Sequence, residues 1–453
     1  STVRCCTQNG VRGGNATVHF PIWHPEIEDI LVLKNNKGTE DNRVRRMDYS
    51  IQISKLFYER FMNEEDITLI SPHMAPGLYD AFGTEEFDDL YLKYEADKTI
   101  PKKTVPAQDL FFDLLKERAE TGRIYIMNLD HCNSHSSFKD KVSMSNLCQE
   151  ITLPTTPIQD IHDEQGEIAL CILSAVNVGG LNDLGELENI CDLSVRALEQ
   201  IIDYQDYPVK AAEVSTKKRR SLGIGYIGLA HYLAKHGVKY SDPKAWDLVD
   251  RLSEAFQYNL LKASNNIAKE KGKCEGFDRT KYADGLLPID HYKKDVDKIV
   301  PHKQRMAWES LRKDIAKYGL RHSTLSAQMP SESSSVVSNE TNGIEPPRAL
   351  MAIKKSKKGP LKQIAPGFPK LKNDYTLLWD MPDNTGYIKV VAMMKTSYYQ
   401  NTYDFKGEEE DVQPAGIGTV AEDDGEDVIL DVEEPTTGAT QDADDGECEA
   451  CTI

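Results

Sequence analysis

The 453 residues carry 40% hydrophobic side chains, enough for a large core, and a formal net charge of −19. Residues 401–453 hold 18 acidic side chains against one lysine, which leaves the first 400 residues at −2; so nearly neutral a body offers no global footprint for DNA, and no direct nucleic-acid binding is expected. No apolar run approaches the roughly 20 residues of a membrane span, and the opening Ser1-Thr2-Val3-Arg4-Cys5-Cys6 lacks a signal peptide's charged head and apolar middle. A cytoplasmic protein with no membrane contact is expected, and nine scattered cysteines do not read as a secreted disulfide framework.

In chain order, Gly10, Gly13 and Gly14 make a flexible loop ahead of the alternating run Ala16 to Phe20, which reads as a strand. Gly122 to Met127 and Glu167 to Leu173 read as further strands. Asp183 with Glu186 forms a capping-box signal for a helix bearing Leu187, Ile190, Leu193, Leu198 and Ile201. The basic run Lys217-Lys218-Arg219-Arg220 reads as a solvated helix end or loop. Gly223-Ile224-Gly225-Tyr226-Ile227-Gly228 is a literal GxGxxG, but a dinucleotide site needs an apolar strand just before it, and the preceding residues are basic. The glycines are therefore read as permitting close backbone packing where a strand meets a helix. Asp242-Pro243 starts a second helix, with Trp246, Val249, Leu252, Phe256, Leu260, Ala263 and Ile267 on one face and Gly272 as its stop. Strands alternating with helices predict an α/β fold with much parallel pairing. After Phe405 the chain turns acidic and poor in aromatics, so residues 404–453 are expected to form a flexible, disordered tail.

Two clusters carry chemistry. Ser145-Asn146-Leu147-Cys148-Gln149-Glu150 would, if extended, put Asn146, Cys148 and Glu150 on one face: an amide, a thiol and a carboxylate. Cys448 and Cys451 lie near the end of the tail without a second close pair to complete a zinc site. No metal site is expected, and a mobile dithiol exchanging with a buried disulfide is the better reading.

The run Ser145 to Glu150 resembles the thiyl-radical finger loop of ribonucleotide reductase large subunits. The resemblance extends to Met329-Pro330-Ser331-Glu332-Ser333-Ser334-Ser335 with Ser338 to Arg348, similar to the family's phosphate-binding turn and its sequel. Tyr398-Tyr399-Gln400-Asn401-Thr402 is similar to the paired radical-relay tyrosines, and Gln8 to Gly14 to the loop joining the allosteric specificity site to the substrate base. With the terminal cysteine pair, these motifs span almost the whole chain in the family's order.

The resemblance implies a ten-stranded α/β barrel with a central finger loop, of which residues 1–403 would supply the C-terminal portion. It implies a class I enzyme reducing ribonucleoside diphosphates. Cys148 would abstract the ribose 3′-hydrogen as a thiyl radical, Glu150 would act as general base, and Asn146 would hold the ribose. Cys171 would be one of two reducing thiols. Asn146 to Glu150 (with Leu147 and Gln149) and Pro330, Ser331, Glu332, Ser333 and Ser334 would contact substrate; the serines offer hydroxyls and backbone N–H groups at a helix start. Tyr398 and Tyr399 would relay the radical, Cys448 and Cys451 would regenerate the dithiol, and Gln8 and Arg12 would lie in the allosteric loop. No covalently bound cofactor is implied. Nucleotide effectors (deoxynucleoside triphosphates or ATP), a small subunit whose dinuclear metal centre supplies the radical, thioredoxin or glutaredoxin, and a dimer of large subunits are. The second reducing cysteine and an ATP-binding activity domain would lie upstream of Ser1, so a complementary N-terminal chain is expected and the chain alone should be inactive. The segment from Met394 to Tyr398 is shorter than in family members. The alternative reading is a catalytically silent structural or interaction half; a dithiol module built around the tail is a third, and it leaves Ser145 to Glu150 unexplained.

Overall fold

The computed structural model describes residues 2–7, 13–39, 43–45, 47–122, 124–170, 172–292, 294–356 and 359–394, with the backbone alone of Val428 and Ile429. Gln8, Arg12, Cys171, Tyr398, Tyr399, Cys448 and Cys451 lie outside the described residues. So does the acidic segment from 404 onward, apart from Val428–Ile429, whose backbone pairs antiparallel with Ala352 and Ile353.

The N-terminal half is built on strands β1 (Thr17–Pro21), β2 (Asp48–Ile53), β3 (Asp66–Ile70), β4 (Lys102–Pro106) and β5 (Ile124–Asn128). β1, β2 and β5 form a parallel sheet in the order β1-β2-β5, with Thr17 opposite Asp48 and Ser50 opposite Tyr125; β3 and β4 pair antiparallel. The run Ser50-Ile51-Gln52-Ile53 shows the consequence of the two-residue strand period. Ile51 and Ile53, with Ile124 and Ile126, pack into an apolar cluster with Leu110, Phe111 and Leu114 of helix α1 (Ala107–Thr121). Ser50 and Gln52 point the other way. The predicted strands at 16–20 and 122–127 are thus present within a residue or two.

A second parallel layer pairs β6 (Leu173–Asn177) with β7 (Gly223–Ile227), and residues 324–327 add to its far edge through Ile224 N–H to Leu325 O (2.8 Å) and Ala327 N–H to Ile224 O (3.2 Å). β6 begins where the expected strand 167–173 was to end. Glu167 instead exchanges backbone hydrogen bonds with Thr156 (3.0 Å each way) and turns its carboxylate to basic partners.

Helix α2 (Glu186–Tyr204) packs against β6, and α3 (Lys210–Arg219) and α4 (Pro243–Lys271) pack in turn against α2. α4 follows its sequence signals: the Asp242 side chain accepts from Lys244 N–H (2.9 Å), Gly272 ends it at φ 87°, and Val249, Leu252, Phe256, Leu260, Ala263 and Ile267 are buried against α2 and a later helix, Thr385–Met394. α2 departs in phase. Its buried stripe is Leu187, Cys191, Val195, Leu198 and Ile202, whereas Leu193 is 58% and Ile201 45% exposed. The capping box is absent as well: Asp183 accepts from Gly185 N–H (2.7 Å) and Glu186 accepts from the Asn182 amide (2.8 Å). Among the described residues no helix is long and apolar enough to cross a membrane.

The basic run is a further correction. Arg219 and Arg220 are only 5% and 4% exposed, because buried carboxylates await them. Arg220, at φ 47° just past α3, donates to Glu199 Oε2 (2.7 Å) and Asp203 (2.9 Å), while Arg321 (2.9 Å) and His322 (3.0 Å) complete the shell around Glu199. Burial by itself would raise the Glu199 carboxyl, but hydrogen bonds from His322, Arg220 and Arg321 outweigh it and hold the group at about 2. A carboxyl held below its ordinary 4.5 stabilises the fold above that pH and loses the contribution as pH falls toward about 2. Urea melts of Glu199→Gln should therefore show a smaller loss of stability between pH 4.5 and about pH 3 than the unaltered chain, alongside lower stability at neutral pH. Parallel pH profiles for the two would contradict this.

The glycines of Gly223 to Gly228 lie in and just after β7, as close-packing positions. A Cβ at Gly223 would come within 2.6 Å of Leu173 and 2.7 Å of Ile151, one at Gly225 would meet the Ala327 carbonyl, and Gly228 adopts φ 82°. Gly225→Ala should cost about 1–3 kcal/mol in denaturant melts, the usual range for overpacking a filled core. An unchanged midpoint would refute the packing role.

Candidate functional site

Residues 145–152 form a closed loop. Ser145 and Thr152 pair antiparallel, the Asn146 N–H donates to Ile151 O (3.4 Å), and the Asn146 side-chain oxygen accepts from Ile151 N–H (3.1 Å) and from the Ser145 hydroxyl (3.2 Å). Ser145 Oγ also donates to Ile151 O. At the tip Gln149 N–H reaches Asn146 O (3.3 Å), and Gln149 itself sits at φ 62°. The run is not extended, so the alternation that would have put Asn146, Cys148 and Glu150 on one face does not apply. A tight turn replaces strand alternation, because a run that must reverse direction within six residues closes its backbone hydrogen bonds on itself. Asn146, Leu147, Cys148 and Glu150 are half-buried, and Gln149 is buried.

The polar face of the β1-β2-β5 sheet holds this loop. Thr17 Oγ1 donates to Leu147 O (2.7 Å), the Gln149 amide donates to Ser50 Oγ, and the Gln52 amide donates to Ser143 O (2.6 Å). Three hydrogen bonds from two strands thus support the tip, a side chain of the turn and one leg. His19 faces Ser145 in the same row; burial pushes its imidazole down to about 4 against an opposing backbone hydrogen bond, so it adds no positive charge near neutral pH. On the opposite side Ile151 packs with Phe138, Leu153 and Ala327, and Ala169 and Leu173 lie alongside, which seats the loop between the two sheet layers.

The legs are tied together by charge. Arg219, at the C-terminal end of α3, donates to Asp140 (2.9 Å) before the loop and to both oxygens of Glu167 (2.5 and 3.1 Å) after it. Lys218 adds a bond to Glu167 (2.7 Å) and Arg279 one to Asp140 (2.7 Å). Desolvation would raise the Glu167 carboxyl, but hydrogen bonds and charge from Arg219 and Lys218 prevail and hold it below the ordinary range. Asn133 secures the first leg further through reciprocal bonds to Val142 (3.0 and 2.8 Å).

The other predicted contact segment follows Ala327 closely. Helix α5 (Glu332–Val337) begins after Ser331, which is 2% exposed and whose hydroxyl donates back to Met329 O (3.1 Å) instead of capping the helix. The first-turn amides are therefore left uncapped by that side chain. Pro330, Glu332, Ser333 and Ser334 are half-buried. Because Ala327 touches the Ile151 cluster and a Cβ at Gly225 would lie 3.2 Å from Met329 sulfur, β7 connects the helix start to the base of the loop.

Thr17, Ser50, Gln52, Asp140, Glu167 and Arg219 were not singled out as site residues from sequence. The first three left a readable sign: polar side chains alternating with apolar ones on strands whose other face is core. The charged three left none, since their partners are far apart in the chain.

Residues 1–409 match the family described as ribonucleotide reductase, barrel domain, and the chain belongs to that family. Its relatives include the ribonucleoside-diphosphate reductase subunit alpha of Haemophilus influenzae, 56% identical over 400 residues (87% of this chain, 53% of the relative). The corresponding Escherichia coli reductase 1 subunit alpha is also 56% identical over 400 residues (87% and 53%), and that of Enterobacteria phage T4 is 43% identical over 404 (87% and 53%). The chain spans about half the length of the curated relatives it matches.

If Arg219 sets the spacing of the legs, Arg219→Met should destabilise strongly, since removing one partner of a buried ion cluster leaves uncompensated charge. Lys218 and Arg279 remain to shield Glu167 and Asp140, so a loss near the lower end of the usual range, about 3 kcal/mol, is expected in urea melts. A change below about 0.5 kcal/mol would mean the cluster is dispensable.

Proposed function

We propose that this chain forms the catalytic barrel portion of a ribonucleoside-diphosphate reductase large subunit, in which Cys148 carries the thiyl radical. The observation that carries the reading is the braced turn at 145–152, which places a half-buried thiol and carboxylate at the tip of a loop held by the sheet and by the Arg219 cluster. Sulfur suits the step because its S–H bond is weak enough for reversible hydrogen exchange with carbon. Cys148 as a radical takes the 3′-hydrogen of the ribose, and Glu150 accepts the 3′-hydroxyl proton as general base. One of two thiols, Cys171 among them, gives its proton to the 2′-hydroxyl, which leaves as water; the pair delivers two electrons and the second hydrogen to C2′ and closes to a disulfide, Glu150 returns its proton to the 3′-oxygen, and Cys148 returns the hydrogen atom to C3′ and is a radical again.

Asn146, which already shapes the turn, adds hydrogen bonds to the ribose, and Leu147 and Gln149 line the sugar's approach. The diphosphate sits on Pro330 to Ser334, where uncapped first-turn amides and serine hydroxyls favour an anion. Tyr398 and Tyr399 relay the radical from the dinuclear metal centre of a small subunit, and Cys448 and Cys451 pass reducing equivalents from thioredoxin or glutaredoxin. Gln8 and Arg12 belong to an effector-responsive loop. A complementary N-terminal chain completes the site within a dimer of large subunits.

Single-turnover and multiple-turnover assays on the reconstituted, pre-reduced complex separate the cysteines. Cys148→Ser should abolish even the first turnover, since the stronger O–H bond closes the radical route. Cys448→Ser and Cys451→Ser should retain one turnover, fail in multiple turnovers with thioredoxin, and be partly rescued by dithiothreitol. A measurable first turnover by Cys148→Ser, or none by the tail variants, would overturn these assignments. If complete reconstitution of the unaltered protein gave no reduction, the silent-half reading would stand instead.

A further inference from the structure

We infer that His19, Gln52 and Gln149 enclose a binding site for ordered water between the β1-β2-β5 sheet and the loop of residues 145–152, and that His19 positions the tip of that loop through this water. The site itself stands on geometry alone. Its effect on turnover rests on the reading that Cys148 and Glu150 are the reacting groups.

Four buried polar atoms on facing surfaces carry the inference. Both ring nitrogens of His19 and the side-chain oxygens of Gln52 and Gln149 are shut off from solvent and meet no hydrogen-bond partner among the described residues. Gln52 is 0% and Gln149 8% exposed, so bulk solvent does not serve them. The Ser145 backbone faces the imidazole without the geometry of a full hydrogen bond. Buried polar atoms nearly always have a partner, in protein or in ordered water, because an unpaired one loses its hydration uncompensated. A single orphan is an exception; four on one interface define a site.

Register and hydrogen bonds place the four side by side. His19 lies opposite Ser50 on the neighbouring parallel strand, about 4.8 Å across the sheet, and Ser50 Oγ accepts from the Gln149 amide. The oxygen of that same amide is thereby brought within the reach of one water from the imidazole. Gln52 follows Ser50 by two residues on the same face, roughly 7 Å along the strand, and its amide donates to Ser143 O (2.6 Å) in the first leg of the loop.

The donor set selects the occupant. Burial holds the imidazole down to about 4, so near neutral pH the ring is uncharged and offers one N–H and one lone pair. With the two amide oxygens the site presents one donor, three acceptors and no formal charge. A divalent cation calls for carboxylates or more oxygens, an anion for more donors, and an apolar molecule for none of these groups. Water fits: one molecule accepts from the His19 N–H and donates to the Gln149 oxygen, and a second donates to Gln52 and to the ring's lone pair. Gln149 is then held at both ends of its amide, by Ser50 directly and by His19 through water. It sits at φ 62° between Cys148 and Glu150, so a side chain released at one end lets a strained residue between thiol and carboxylate relax.

The first test is a crystal structure of the complete large subunit at a resolution that shows ordered solvent. A water within about 3.2 Å of a His19 ring nitrogen and of the Gln149 side-chain oxygen is expected; a site without solvent, or direct protein bonds to both ring nitrogens, overturns the inference. The second is the single-turnover rate and KM for a ribonucleoside diphosphate, with the small subunit present, in the unaltered enzyme, His19→Phe, His19→Asn and His19→Gln. Phenylalanine keeps a planar ring without nitrogens, whereas the two amides keep a donor and an acceptor where Nδ1 or Nε2 stands. His19→Phe should slow the single turnover about fivefold, the equilibrium worth of one hydrogen bond, at unchanged KM, and at least one amide should restore half of the rate or more. A merely structural role would lower the melting temperature and leave the rate of the folded enzyme unchanged. An unchanged rate in His19→Phe, or equal loss in all three variants, overturns the positioning role. Absence of reduction by the unaltered enzyme would fall on the catalytic reading, and the crystal structure would still decide the water site. Should His19→Phe fail to fold, His19→Leu takes its place in the same comparison.

Discussion

Arg219 joins the two legs of the loop around 145–152, and the geometry of the candidate site depends on that union. Its guanidinium spans Asp140 and Glu167, residues 27 apart in sequence, within a shell that is nearly dry. Removing a guanidinium and two carboxylates from water is costly, and the arrangement holds because each charge meets an opposite one with directed hydrogen bonds. α3 is suited to present it: its last turn carries Lys217, Lys218 and Arg219, the end of a helix where positive charge is favoured. With the legs held together by these ion pairs, the loop reaches the sheet, where Thr17, Ser50 and Gln52 meet it.

The two layers play different parts. The β1-β2-β5 sheet offers its tip-facing row as hydrogen-bond donors and acceptors, so it orients the loop; the β6-β7 layer offers Gly223, Gly225 and Ala327, so it admits the loop's apolar side. Glycine is demanded at Gly223 by the approach of Ile151 and Leu173, a requirement of packing between the loop and the second layer. The chain after Ala327 continues to Ser331 and α5, which relates the thiol-bearing loop to the start of α5 through a few residues of β7 and its neighbour.

What could be read from the chain alone follows the range of the forces involved. Helix α4 was legible end to end because Asp242, Pro243 and Gly272 act on their immediate neighbours. Strands at 17–21 and 124–128 were legible from two-residue alternation and short apolar runs. α2 was placed correctly but rotated, since its stripe is chosen by what α4 presents to it; Leu193 and Cys191 differ little as local signals. The basic run was misread as solvated because Glu199 lies 21 residues and Glu167 52 residues from their arginines. In the site, Cys148 and Glu150 stood out through the resemblance to the family's motif, whereas the turn on which both lie depends on Ile151 and Asn146 closing on each other. The supporting row was half-visible: Ser50 and Gln52 alternate with isoleucines, but alternation says that a face is polar without saying what it touches.

The central claim is that this braced loop presents Cys148 to the sugar of a ribonucleoside diphosphate. The most direct measurement is a structure of the complete large subunit with a bound diphosphate substrate. The account predicts Cys148 Sγ about 3–3.5 Å from C3′ of the ribose, a near-attack separation, with Glu150 at the 3′-hydroxyl, the diphosphate on Ser331 to Ser334, and the bond from Thr17 to Leu147 retained. A ribose bound away from Cys148, or a catalytic loop released from Thr17 and Arg219 when substrate is present, would contradict it.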